Sequence, residues 1–123
     1  MMLLLILGGL AIGLGIGFAF NITFPTAYSF YITMALLAAM DSVAGAARSH
    51  MEGKYDSLVF ITGFVCNAIL AGLLTLMGDK LGIPLYYAAI LVFGGRLFNN
   101  LAVIRRIALD KFLEKRKQQS WEK

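Results

Sequence analysis

Residues 85–104, LYYAAILVFGGRLFNNLAVI, decide how this chain folds. The stretch is apolar and long enough to cross a bilayer core of about 30 Å as a helix. Arg96 nevertheless stands near its middle, with Asn99 and Asn100 on the next turn. An arginine at that depth costs about 2.5 to 3.5 kcal/mol, so such charges usually face a protein interior and have a partner. The stretch therefore predicts a membrane helix that depends on the other helices of the chain.

Three further apolar runs precede this one, at residues 3–20, 28–47 and 58–78. The 123 residues are 59% hydrophobic and 15% charged, whereas a soluble domain is roughly 25% charged. The connections between the runs are short, so consecutive helices are expected to be antiparallel neighbours. The sequence predicts an all-α integral membrane protein, with four transmembrane helices in an antiparallel bundle over residues 1–104.

Lysine and arginine are unevenly divided between the two sides of this predicted bundle. The connection between the second and third runs holds Arg48 and Lys54, residues 105–123 hold seven basic residues, and the opposite side holds only Lys80. The positive-inside rule then predicts that both termini are cytoplasmic. Residues 105–123 carry the whole net charge of +4 and keep a helical periodicity, which predicts a basic amphipathic tail attracted to anionic lipid. Nucleic-acid binding is not expected.

Gly9, Gly13 and Gly17 are spaced four residues apart in the first run and leave one helix face without side chains. Helix packing in lipid favours such faces because backbones can approach closely there. The spacing predicts a helix-packing surface. It leaves open whether the face packs on this chain's own helices, on another membrane protein or on a second copy.

Asp41 is the only other charged residue inside an apolar run, and its depth matches that of Arg96. Counted from Arg48 and Arg105, the two residues lie about 10 and 13 Å into the membrane by helical rise. We expect them to pair. The predicted buried polar cluster consists of Asp41, Asn67, Arg96, Asn99 and Asn100. Such a cluster either stabilises the assembly or forms a ligand, proton or ion site.

Four basic residues are expected above Arg96 at the cytoplasmic side: Arg48, His50, Arg105 and Arg106. Guanidinium groups match phosphate and carboxylate geometry, so this cytoplasmic basic mouth would suit a small anionic ligand or a lipid head group. The same arginines also satisfy the positive-inside rule without any ligand.

Enzymatic activity is not expected. Ser49, His50 and Glu52 share one connection, but no arrangement of nucleophile, base and orienting group is evident. No catalytic residue is assigned, and no cofactor is expected. A metal site is not expected either, because His50 is the only histidine and Cys66 the only cysteine.

Several segments resemble the small basic protein family of bacterial membrane proteins. The resemblance extends over roughly residues 1–111 and is most specific in GRLFNNLAVIRR at residues 95–106. MDSV at 40–43, EGKYD at 52–56 and GDKLG at 78–82 also carry it. The resemblance implies a multi-pass protein of the bacterial plasma membrane, without an established biochemical activity and without catalytic residues to assign. It also implies genes that lie close to cell-division or cell-envelope genes in Gram-positive bacteria.

These patterns favour a non-enzymatic scaffold or accessory subunit that binds other membrane proteins, such as division or envelope components. The glycine face, the basic tail and the lack of a soluble domain support this hypothesis. One alternative is a small oligomeric channel or transporter lined by Asp41, Asn67, Arg96 and Asn99. Another is a sensor that binds an anionic ligand at the basic mouth.

Overall fold

The computed structural model describes residues 1–21 and 23–121, without the side chains of Met2, Leu3 and Ile6. Over those residues the fold is all-α, with helices α1 (Met2–Ala19), α2 (Thr26–Met51), α3 (Ser57–Leu81) and α4 (Tyr86–Trp121). The predicted all-α class with four helices is confirmed. Each of α2, α3 and α4 is long and apolar enough to cross a membrane, and Leu7–Ala19 in α1 is a shorter apolar helix.

Local sequence signals set both ends of α3. Asp56 is the N-cap residue, and its Oδ1 accepts hydrogen bonds from the backbone N–H groups of Leu58 (2.8 Å) and Val59 (3.1 Å). A carboxylate in this position satisfies donors that have no partner within the helix. At the other end Gly82 adopts a left-handed conformation, with φ +66°, which glycine reaches without steric cost. The chain then turns into α4 within a few residues.

The helix α4 is longer than the span predicted for it. It continues past residue 104 to Trp121 without a break, since neither glycine nor proline follows Gly95. Residues 105–121 of the predicted tail are therefore an extension of α4. The last two residues of that tail, Glu122 and Lys123, lie outside the described residues.

The helix α2 is central, and contacts along its length fix the directions of its neighbours. The Phe30 and Tyr86 ring centroids are 4.8 Å apart near the start of both α2 and α4, and Arg48 near the end of α2 contacts Asn100 of α4. The two helices are therefore parallel. Tyr31 Oη, near the start of α2, donates to Asp79 Oδ2 near the end of α3 at 2.7 Å. Consequently α3 is antiparallel to α2.

The apolar core lies between α2, α3 and α4, in the half of the molecule near Tyr31. It consists of Met34 and Ala38 from α2, Ala71 from α3, and Ala89 and Phe93 from α4. Three of these five residues are alanine, which lets the helices approach closely around the larger side chains of Met34 and Phe93.

The first helix is attached to this core on one side only. In the described part of the chain, α1 contacts α2 and neither α3 nor α4. Its apolar side chains remain largely uncovered, and Leu4, Ile12 and Phe18 are exposed. Contact with α2 alone thus leaves most of the described α1 surface open.

Candidate functional site

An ion pair joins α2 and α4 about halfway along the bundle. Arg96 Nη2 lies 3.2 Å from Asp41 Oδ2. The Asp41 side chain is fully buried, whereas the Arg96 side chain remains 52% exposed. Arg96 therefore approaches Asp41 from the edge of the bundle. The structure thus brings together the two charged residues that were expected to pair because they lie at similar depths.

The Asp41 carboxylate is incompletely satisfied by this pair. Neither Oδ1 nor Oδ2 accepts a hydrogen bond from any described residue, because the Arg96 N–H groups are not aligned on it. The neighbouring Ser42 Oγ is buried and also lacks a hydrogen-bond partner within the described chain. Buried polar groups are normally hydrogen-bonded, and an unsatisfied one costs about 1 to 3 kcal/mol, more when charged. Asp41 and Ser42 thus place three unsatisfied polar atoms on adjacent residues of α2.

A cavity of about 260 Å³ lies beside Asp41 and Ser42, between α2, α3 and the connection that joins them. The residues that line it follow the same sequence spacing on both helices. They are Asp41, Ser42, Gly45, Ala46 and Ser49 on α2, and Val59, Phe60, Gly63, Phe64 and Asn67 on α3. Small residues on the facing walls leave the space open, since a Cβ built on Gly63 meets no atom within 4 Å. Lys54, Tyr55 and Asp56 of the connection and Arg96 of α4 complete the lining.

A second polar contact between α2 and α4 lies near the end of α2. Arg48 Nε lies 3.0 Å from Glu52 Oε1 in an ion pair, and Arg48 Nη1 donates to Asn100 Oδ1 at 3.3 Å. Asn100 is buried, and its Nδ2 lies 3.6 Å from a Cβ built on Gly45. Asn100 therefore joins Arg48, a residue assigned from sequence to the basic mouth.

The remaining predicted residues are not all gathered at this site. Asn67 is partly buried and lines the cavity. Asn99, by contrast, is exposed. At about 100° per residue it lies roughly 120° around α4 from the buried Phe93, whereas Asn100 lies within roughly 20° of it. Asn99 thus differs from the expectation of a buried residue because α4 turns its neighbour inward.

Of the four residues in the predicted basic mouth, one is engaged in contacts within the protein and the other three are exposed. Arg48 is engaged with Glu52 and Asn100. His50, Arg105 and Arg106 are exposed, and the His50 ring meets Tyr55 edge-on at 6.2 Å. Arg48 is therefore not free to present its whole guanidinium to an anion.

The glycine face of α1 is open. A Cβ built on Gly9, Gly13 or Gly17 would meet no atom within 4 Å. These glycines line a groove of about 730 Å³ beside the start of α2. Its other lining residues are mainly apolar: Leu10, Leu14, Ile16, Phe18, Phe24 and Leu36, with Asn21 and Thr23 at one end.

Among the cavity residues that sequence reasoning missed, Ser42 and Tyr55 have buried hydroxyl groups. The Tyr55 hydroxyl is buried and finds no hydrogen-bond partner among the residues described. The available signal was the repeated spacing of small and polar residues at 41, 42, 45, 46 and 49 against 59, 60, 63, 64 and 67. No group of three or more His, Cys, Asp or Glu in the described chain is placed to hold a metal ion.

Comparisons with known proteins cover most of the chain. A family model described as "Protein of unknown function (DUF1290)" matches residues 24–109. A protein of Bacillus subtilis (strain 168) named "Small basic protein" is 49% identical over 104 residues, which is 85% of this chain and 86% of that protein. Uncharacterized proteins of Mycobacterium bovis and Mycobacterium tuberculosis are 37% identical over 102 residues, covering 81% of this chain and 84% of theirs. No solved structure gives a significant match.

Proposed function

Since this chain belongs to the small basic protein family, whose family model is described as a protein of unknown function, we propose a role that rests on its surfaces. The protein is a multi-pass protein of the bacterial plasma membrane, and it acts without enzymatic activity as a scaffold or accessory subunit. Its partners are other membrane proteins, in the class of division or envelope components. The open glycine face of α1 is the observation that carries the proposal.

Membrane insertion of all four helices is the first part of the proposal. Large apolar side chains lie on the outside of the molecule, and Leu91 and Phe98 of α4 are each 76% exposed. Apolar surface on this scale is unfavourable in water and suits contact with lipid. The proposed spans are residues 3–20, 28–47, 58–78 and 85–104. By the positive-inside rule, the basic residues at Arg48, Lys54 and the tail favour cytoplasmic termini.

The groove along α1 supports docking of a partner helix. Between helices in lipid, attraction comes from close packing rather than from the hydrophobic effect, so a face of missing side chains is typical of a helix-packing interface. Gly9, Gly13 and Gly17 have no such occupant in the described chain. The largely apolar lining of the groove matches the apolar surface of a transmembrane helix. We assign that helix to another membrane protein.

The extension of α4 supplies a second surface. Leu109, Phe112 and Leu113 are exposed along it, and the Arg116 guanidinium lies 5.5 Å from the Phe112 ring centroid. Such a segment is attracted to anionic lipid by about 1 kcal/mol per basic residue near the surface. The tail would thereby hold the scaffold against the cytoplasmic leaflet.

The test compares two glycine substitutions on the same helix. Gly13→Leu fills the groove, whereas Gly15→Leu adds an equal side chain at a glycine that does not line it. Proteins recovered with each variant from gently solubilised native membranes are identified and quantified, together with the native mass. We expect Gly13→Leu to lose a stoichiometric partner while it still inserts, and Gly15→Leu to keep it.

Two results would contradict the scaffold proposal. Equal recovery of partners with the wild type and with Gly13→Leu would remove the glycine face as a docking site. A drop in native mass from a homo-oligomer to a monomer, with no second protein involved, would assign the face to another copy of this chain.

The channel or transporter alternative draws on the cavity beside Asp41. A conducting path through one chain would have to pass the core residues Met34, Ala38 and Phe93, which fill the bundle beyond the ion pair. That packing favours a closed site over a continuous pore. Flux of ions or small anions into sealed vesicles, compared between the wild type and Arg96→Ala, tests this alternative directly.

A further inference from the structure

The cavity between α2 and α3 has a set of groups that defines a ligand chemistry. We propose that it binds a small molecule or a lipid head group carrying both a primary ammonium and an anionic phosphate or carboxylate. This inference goes beyond the scaffold role and stands independently of it, since none of the cavity residues lies on α1.

Four buried polar atoms at the cavity residues have no hydrogen-bond partner in the described chain. Asp41 is fully buried, and both of its carboxylate oxygens are without a hydrogen bond from the described residues. A carboxylate accepts hydrogen bonds and donates none when ionised. Ser42 Oγ, in a residue only 8% exposed, and Tyr55 Oη are likewise without partners in the described chain. An ammonium group has three N–H donors, so it can satisfy Asp41 and one of the hydroxyls at once.

The charges of the lining argue against a simple cation. Two acidic residues, Asp41 and Asp56, face two basic ones, Lys54 and Arg96. Asp56 is already committed to the N-cap of α3, and Arg96 already compensates Asp41. A ligand with a positive group alone would add an uncompensated positive charge beside Lys54 and Arg96, which is unfavourable. A ligand that also carries an anionic group restores the balance.

The anionic group has two basic partners available. Arg96 presents five N–H donors in a fixed fork, and a single nitrogen of it contacts Asp41. Lys54 lines the same cavity from the connection between α2 and α3. The ligand's ammonium would lie against Asp41, Ser42 and Tyr55, and its phosphate or carboxylate would lie against Lys54 and the free N–H groups of Arg96.

The space and the aromatic walls agree with this chemistry. A volume of about 260 Å³ exceeds by far the roughly 10–15 Å³ that one water needs by the same kind of measure. Phe60 and Phe64 lie on the α3 wall, and their rings are 6.1 Å apart. Aromatic faces attract ammonium groups, so these rings favour the positive end of the ligand.

The experiment uses the full chain in phosphatidylcholine nanodiscs. Glycine and phosphoethanolamine are titrated by calorimetry and by thermal unfolding, against their trimethylated counterparts glycine betaine and phosphocholine, which have no N–H donor. A second arm replaces phosphatidylcholine by phosphatidylethanolamine and measures the unfolding temperature. Binding of a soluble probe assigns the site to a soluble ligand. Stabilisation by phosphatidylethanolamine alone assigns it to a lipid head group.

Substitutions connect the binding to the cavity. Loss of a hydrogen bond to a charged group corresponds to about a tenfold weaker affinity, which we expect for Tyr55→Phe and for Ser42→Ala. Asp41→Asn should abolish the preference for the primary ammonium. Thr33→Ala on the same helix is the control, because its hydroxyl bonds to Ser29 O and lies outside the cavity. If Asp41→Asn fails to fold, Tyr55→Phe and Ser42→Ala carry the test.

Two outcomes overturn the proposal. In the first, neither soluble probe nor phosphatidylethanolamine differs from its trimethylated counterpart. In the second, a difference exists but is unchanged in Tyr55→Phe, Ser42→Ala and every folded Asp41 variant. Either result would show that the cavity does not bind a primary ammonium group.

Discussion

The first two helices each carry a stripe of small residues at four-residue spacing, and the two stripes have opposite surroundings. On α2 the stripe Ala38, Ser42 and Ala46 is buried, at 1%, 8% and 5% exposure. On α1 the stripe of glycines meets no atom of the described chain within 4 Å of a built Cβ. Small residues therefore mark where a helix can be approached closely, and they do not say which helix approaches.

The difference follows from the position of each helix in the bundle. The helix α2 lies between α3 and α4 and is tied to α4 by Asp41 and Arg48. No charged residue occurs in residues 1–40, so α1 has no comparable polar attachment. A charged pair and a packed stripe together make α2 the centre of the fold, whereas α1 remains available for a contact outside it.

The largest effect should come from breaking the ion pair that holds α2 to α4. Arg96→Gln leaves the buried Asp41 carboxylate without charge compensation. We expect the free energy of unfolding to fall by about 3 kcal/mol, the lower end for a buried ion pair, because the Arg96 side chain is half exposed. The free energy of unfolding is measured by denaturant titration in mixed micelles. Arg106→Gln, at an exposed position on the same helix, should change it little.

A double-mutant cycle sharpens this result. Combining Arg96→Gln with Asp41→Asn removes both charges, so the double variant should lose less stability than the sum of the single losses. Strict additivity would mean that the 3.2 Å contact contributes nothing to holding α2 against α4.

The next effect compares the two stripes directly. Ala38→Leu puts three extra carbons into the core beside Met34 and Phe93, and overpacking of this kind costs typically about 1 to 3 kcal/mol. Gly13→Leu adds a larger side chain on the open stripe and should leave the thermal unfolding temperature of the isolated protein within error of the wild type. A comparable loss of stability in Ala38→Leu and Gly13→Leu would show that α1 is packed as tightly as α2.

The smallest effect concerns the polar contact at the end of α2. Arg48→Gln removes the ion pair with Glu52 and weakens the hydrogen bond to Asn100, for a loss of about 1 kcal/mol. Lys54→Gln, in the following connection, is the control that removes a nearby positive charge without that contact. A loss as large as that of Arg96→Gln would place the main attachment of α4 at Asn100 instead of at Arg96.

The sequence predicted most of the fold because the relevant signals are local. Four apolar runs separated by short polar connections predicted four helices, and the structure differs mainly in their lengths. Thus α4 runs on to Trp121, since the tail contains good helix formers and nothing to stop the helix. The pairing of Asp41 with Arg96 was also accessible, because depth along a helix can be counted from the sequence.

The polar cluster was harder to predict because its members depend on helix rotation. Asn99 and Asn100 are adjacent in sequence, yet Asn100 is buried against Gly45 and Arg48 while Asn99 is exposed. The two side chains point about 100° apart around α4, and this difference decides which of them is buried. Sequence periodicity gives the direction of a side chain relative to its own helix, but not relative to the neighbouring helices. Ser42 and Tyr55 were missed for a related reason, since the absence of a hydrogen-bond partner is a property of their neighbours.

By itself, then, the sequence determined the class of the chain, the number of helices and the need of Arg96 for a partner. These follow from hydropathy and from the cost of one charge in an apolar segment, which each helix carries on its own. Only the tertiary structure decided that the α1 glycines lack a packing partner in the described chain, that Asn100 joins Arg48 and that a cavity lies beside Asp41. These depend on how rigid helices are rotated and placed against one another, and that placement minimises a packing energy shared by all of them.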